Sequence, residues 1–217
     1  MDTDGVHIKH NEYEGVTMKI RILLFSLLLI SGGAFASDDD KPLTDIPLVW
    51  APSNSLADMD PKVDISPIMD VKLQIDKFKD ARQNPTAIGE NREDSNKPKP
   101  VTTKDDVGAW VSSNLHDVLQ KSGLNIVDSG AHVILGGEVR ALFSTETGTY
   151  STDVTLRLTA RDPAGKVIWS GVALGHDSHW GRSYKAENYY QNLSDGVMDA
   201  LHNLLTNKDF IDAIKTK

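Results

Sequence analysis

The sequence predicts an α+β fold, a two-layer sandwich in which a mostly antiparallel sheet carries two main helices packed on one face. Three observations predict it. Successive runs between residues 131 and 180 alternate apolar and polar side chains, the period of a strand with one buried face. Two segments, near 104–122 and 185–207, repeat apolar residues every three or four positions, the period of a helix with one apolar stripe. Each element therefore has a single apolar face to bury, which gathers the helices on one side of the sheet.

Taken in order, residues 1–17 are polar and acidic and read as an untranslated or disordered extension, with Met18 as the initiator. Met18-Lys19-Ile20-Arg21, the apolar run Ile22 to Ile30 and the small residues around Ala34-Phe35-Ala36 make a secretory signal over 18–36, with cleavage predicted after Ala36. The apolar run is too short for a membrane span, which needs about 20 such residues. A periplasmic location without a transmembrane segment after cleavage is the expectation. Residues 37–62 are acidic and proline-punctuated and read as a flexible tether, with Leu48-Val49-Trp50 as its docking point.

A single domain is expected over 63–217. Val71, Leu73, Ile75 and Phe78 mark a strand. The segment 79–103 has three prolines and no periodicity, so it reads as a long loop and a candidate site. A helix follows from about Lys104 to Ser122, with Thr102 or Thr103 as N-cap, Gly123 as its stop, and Val107, Val111, Leu115, Val118 and Leu119 on one stripe.

The next strand should bury Val133, Leu135, Val139, Ala141 and Phe143, and its hairpin partner Tyr150, Thr152, Val154, Leu156, Leu158 and Ala160, with Gly148 in the turn. Asp162-Pro163-Ala164-Gly165 turns the chain into a last strand, expected to face inward through Ile168, Val172 and Leu174. The final helix presents Tyr190, Leu193, Val197, Leu201 and Leu204, and Phe210, Ile211 and Ile214 continue as a short terminal turn or helix.

A net charge of −8 excludes nucleic-acid binding by bulk charge, and the absence of cysteine leaves no disulfide and no lipid anchor on a thiol. The densest cluster of chemistry is residues 176–190, HDSHWGRSYKAENYY. His176, Asp177 and His179 are metal-ligand types, but 176 and 179 point to opposite faces of a strand, so a metal-dependent hydrolase is the weakest of three readings. No serine elbow, cysteine nucleophile or phosphate loop is present, and no catalytic residue, metal or cofactor is assigned.

The aromatic and basic residues of the same stretch have the composition of interaction hot spots. The contact surface is therefore placed on Arg82, Asn84, Ile88, Asn91 and Arg92 of the long loop together with Trp180, Arg182, Tyr184, Lys185 and Tyr189. The competing reading makes Tyr190 and Trp180 core residues that fasten the last helix to the sheet. A further alternative is a small-molecule or lipid site in a groove between sheet and helices.

The signal, the pair Asp80-Ala81-Arg82 and Ile88-Gly89 after the first strand, and a C-terminal helix closing on Asp209-Phe210-Ile211 together resemble the YajG-like group of bacterial envelope lipoproteins over roughly 63–214. The resemblance implies a non-catalytic accessory role in the envelope, contacting a protein or lipid component. The chain departs from that group in lacking the cysteine that carries the lipid.

Overall fold

A computed structural model describes residues 41–215, so the expected extension and signal lie outside the described residues. The elements are β1 (Leu73–Ile75), β2 (Lys79–Asp80), β3 (Ala87–Asn91), β4 (Lys99–Thr102), α1 (Val107–Lys121), β5 (Val133–Glu146), β6 (Thr149–Arg161), β7 (Val167–Trp180), α2 (Ala186–Thr206) and α3 (Lys208–Ile214). The fold is α+β, but the seven-stranded sheet is mixed rather than mostly antiparallel. β5, β6 and β7 form an antiparallel meander, whereas β1, β2 and β3 all run parallel to β5 along its other side. The reason is the crossover: α1 carries the chain back before β5 starts, which a parallel pair requires.

The segment 79–103 is therefore not the structureless loop its composition suggests. It supplies β2, β3 and β4, and β3 pairs antiparallel with β4. Alternation is missing because this piece buries few large side chains, Ile88 and Val101 being its fully buried aliphatics. Backbone pairing and one arginine hold the rest. The Arg82 side chain, only 5% exposed, pairs with Asp80 at 2.9 Å and donates to the carbonyls of Ala87 and Pro85 at 2.6 and 2.5 Å.

α1 begins three residues later than the expected helix. Asp106 is its N-cap, accepting from the Ala109 N–H at 2.9 Å, and Gly123 ends it with φ +95°. α1 packs on β1, β2 and β5, and α2 on β5, β6 and β7. β6 buries Tyr150, Thr152, Val154, Leu156, Leu158 and Ala160 as its alternation predicts, and Gly148 and Gly165 take positive φ in the two turns.

Two strands depart from their expected phase. In β5 a bulge between Val139 and Ala141 inserts Arg140, so Leu142, Ser144 and Glu146 turn inward and Ala141 and Phe143 turn out. In β7 the buried face carries Ala173 and Gly175, while Val172 and Leu174 are 56% and 60% exposed. In α2 the buried tyrosine is Tyr189, with Tyr190 half-buried.

The sheet's two edges are covered differently. At β4, Leu43 bridges Val101, and the Thr102 N–H donates to the Leu43 carbonyl at 2.9 Å. At β7, side chains of α2 reach the backbone: Asp199 accepts from the His176 N–H at 2.9 Å and Asn203 donates to the Leu174 carbonyl at 2.8 Å. Residues 43–62, within the tether expected over 37–62, bond to the body at several points. The Ala51 and Ser53 N–H groups donate to Ser194 Oγ and Asp195 Oδ1, at 3.0 and 2.7 Å, and His202 Nε2 meets the Pro61 carbonyl at 2.7 Å. Trp50 stands edge-on to Trp110, centroids 5.5 Å apart.

Candidate functional site

Residues 176–190 finish β7, cross the end of the sheet and enter α2, so alternate side chains are sent to opposite destinations. Asp177 and His179 turn inward, toward α2, whereas His176, Ser178 and Trp180 turn out. The inward pair joins a polar network built on buried Asn192. Its Oδ1 accepts from Ser144 Oγ at 2.6 Å and from Thr152 Oγ1, and its Nδ2 donates to Asp177 Oδ2 at 2.5 Å. Asp177 Oδ2 in turn lies 3.0 Å from His179 Nδ1, and the His179 ring stacks on Tyr150 with centroids 5.4 Å apart. These are ligand-type residues whose polar atoms are engaged with one another, fastening α2 to the sheet.

A second buried polar centre is Glu146, fully buried at the end of β5. It accepts from the Tyr184 N–H and the Tyr189 hydroxyl, both at 3.0 Å. Burial, reinforced by the Glu146 charge, pushes the Tyr189 phenol far above its ordinary value, so it serves as a donor. Holding its N–H on Glu146 puts Tyr184 at φ +41°, a conformation that costs a side-chain-bearing residue about 1–3 kcal/mol. The Tyr184 hydroxyl donates to the Pro100 carbonyl and accepts from the Leu43 N–H, at 3.0 and 3.1 Å, and Lys99 sits over its ring. One strained tyrosine thus ties together β4, the N-terminal segment and the approach to α2.

The two sequence segments singled out as a contact surface do meet. Arg182 grips Glu93 with both Nε and Nη2, at 2.9 and 2.5 Å from Oε2, joining the β3–β4 connection to the β7–α2 connection. The Arg182 hydrogen bonds hold the Glu93 carboxyl below its ordinary range. Beside this clamp, Asn91, Glu146, Ser183, Tyr184 and Lys185 line a polar hollow of about 380 Å³.

The expected residues nevertheless divide. Trp180 is 80% exposed, and Arg182, Lys185, Asn84 and Arg92 are on the surface, Arg92 paired with Glu90 and Asn84 accepting from Thr86 in its own turn. Ile88 and Tyr189 are completely buried, and Tyr184, Arg82 and Asn91 nearly so. A contact surface cannot use those five directly, because each is consumed by packing or by an internal hydrogen bond. Glu93, Glu146, Asn192 and Lys99 were missed, since nothing in their spacing distinguishes them from other polar residues on a strand, helix or connection.

No family model matches the chain, and no curated protein does. Solved structures are similar at a distance. A protein from Xanthomonas campestris described under family model DUF330 aligns at 14% identity and TM-score 0.47, over 76% of this chain and 90% of that one. A dodecamer of PelC from Paraburkholderia phytofirmans aligns at 16% and 0.39, over 64% and 91%. A lipoprotein from Neisseria meningitidis aligns at 11% and 0.32, over 50% and 83%. Among the described residues no helix is long and apolar enough to cross a membrane.

Proposed function

We propose that this chain is a non-catalytic accessory protein of the bacterial envelope, exported to the periplasm, that works by holding a protein partner against the surface around Trp180. The observation that carries the reading is the placement of that indole, four-fifths exposed at the end of a long strand, beside the Arg182–Glu93 clamp. Tryptophan and arginine are the residues most often found to dominate binding energy. A fixed base lowers the entropy lost on association, and here the base is the Asn192 and Glu146 networks. The polar groups that would suit catalysis, His179 and Asp177, serve the fold. The export signal expected from the sequence, and the resemblance to the YajG-like group, support the envelope setting.

The test is affinity capture from detergent-solubilised envelopes of the host, comparing the native chain with Trp180→Ala/Arg182→Ala. Neither side chain is part of the core, so the variant should fold with unchanged circular dichroism. Loss of a specific captured protein is expected. Capture of the same proteins in the same amounts by both chains would overturn the reading.

A further inference from the structure

The structure assigns a second binding site, for a single-chain amphiphile with a carboxylate head, to a cavity between the N-terminal segment 50–65 and the helices α1 and α2. The cavity holds about 590 Å³, in the middle of the roughly 300–1,000 Å³ range of small-molecule sites. It does not lie in the groove between sheet and helices that the sequence suggested.

Its apolar wall is made by Leu56, Val63 and Ile65 from the N-terminal segment and by Val118 and Met198 from the helices. The hollow opens to solvent past Ser53, Asn54, Lys62 and Lys121, all exposed, so a charged head can stay at the mouth while the chain lies on the apolar wall. Trp50 completes the wall and is backed by Trp110, whose indole Nε1 is buried without a partner.

Charge identifies the head group. The chain has 31 acidic and 23 basic residues, yet the charged residues lining this cavity are Lys62 and Lys121, with no carboxylate among them. Lys121 makes no ion pair among the described residues, whereas Lys62 reaches the Ala57 carbonyl and its charge acts on the Asp58 carboxylate. Of the hydroxyls in the lining, Ser55 donates to Asp58 Oδ2 at 2.6 Å and Ser122 to the Val118 carbonyl at 2.8 Å, which leaves the Ser53 hydroxyl and the Lys121 ammonium as donors for a ligand. A carboxylate would gain charge-assisted hydrogen bonds there while its chain lies against the aliphatic wall.

The N-terminal wall is attached by backbone N–H groups bonded to the Ser194 and Asp195 side chains, rather than by a strand ladder.

Isothermal titration of the protein with sodium tetradecanoate below its micelle concentration tests the site. One saturable site is expected. Lys121→Glu, a substitution at an exposed position, should weaken it at least tenfold, and 1-tetradecanol, without the charge, should bind the native protein at least tenfold more weakly than tetradecanoate. Ala57→Trp, which fills the cavity from an exposed backbone position, should abolish binding while leaving circular dichroism unchanged. No saturable binding overturns the site; so does equal binding of the alcohol, unchanged affinity in Lys121→Glu, or retained binding in Ala57→Trp. The inference does not rest on the partner surface, and Trp180→Ala/Arg182→Ala should bind tetradecanoate as the native protein does.

Discussion

The two faces of β7 carry side chains of the opposite size from what burial alone would select. Toward α2 stand Ala173 and Gly175; away from it stand Val172, Leu174 and Trp180. The difference follows from how closely the helix approaches. A Cβ on Gly175 would come within 2.0 Å of the Gly196 carbonyl oxygen and 2.6 Å of the Ala200 nitrogen, and one on Gly196 within 2.8 Å of Thr152 Cγ2. Where helix and strand backbones nearly touch, there is no room for a large side chain, and burial is achieved by the backbone. The aliphatic residues are left to the other face, whose neighbours on β6 are Asp153, Thr155 and Arg157.

The strongest way to break this comparison is to put bulk on the inner face. Gly175→Val should cost about 3 kcal/mol or more, at the upper end for an overpacked core, seen as a lower urea midpoint or failure to fold. Next comes the polar fastening. Asn192→Ala strands Ser144, Thr152 and Asp177 without their shared partner, and should cost about 2–3 kcal/mol, the range for unsatisfied buried groups.

A smaller effect of opposite sign is expected at Asp195, three residues on from Asn192 in α2. Burial raises its pKa above the ordinary value, with the Asp177 charge adding to this and the Ser53 hydrogen bonds opposing it. A carboxyl whose folded pKa is raised binds more protons folded than unfolded, so stability falls as pH rises from the unfolded to the folded value. Asp195→Asn should therefore flatten that fall and leave the protein at pH 7 equally or slightly more stable, measured by thermal denaturation across pH. The smallest effect belongs to the outer face: Val172→Ser with Leu174→Ser should change stability by no more than about 0.5 kcal/mol. A loss above 2 kcal/mol would show that this face is covered.

The sequence displayed what periodicity can encode. β6, the stripes of α1 and α2, and the two glycine turns were legible because each rests on a local pattern. β5 was legible only up to Arg140, since an inserted residue reverses the phase without altering composition. β7 misled because aliphatic size was read as burial, when glycine on the opposite face was the signal. β2, β3 and β4 were hidden because β2 and β3 pair with β5 55 to 59 residues further on, and their stability is backbone pairing plus Arg82. Of the site, the aromatic and basic character of 176–190 was visible. Its division into an outward Trp180 and an inward Asp177, His179 and Tyr189 required the register.

The side chains of Asp199 and Asn203, lodged on the backbone of His176 and Leu174, have a consequence for how the molecule behaves in a crowd. An outermost strand of fourteen residues is an invitation to a passing β-strand, and stacking on such edges is how fibrils grow. Here an incoming strand would meet an occupied N–H and an occupied carbonyl at the centre of the row, so a continuous ladder cannot zip along it. A strand adding along this flank would first have to displace Asp199 and Asn203 from the backbone, a barrier to edge-to-edge growth beside a prominent indole.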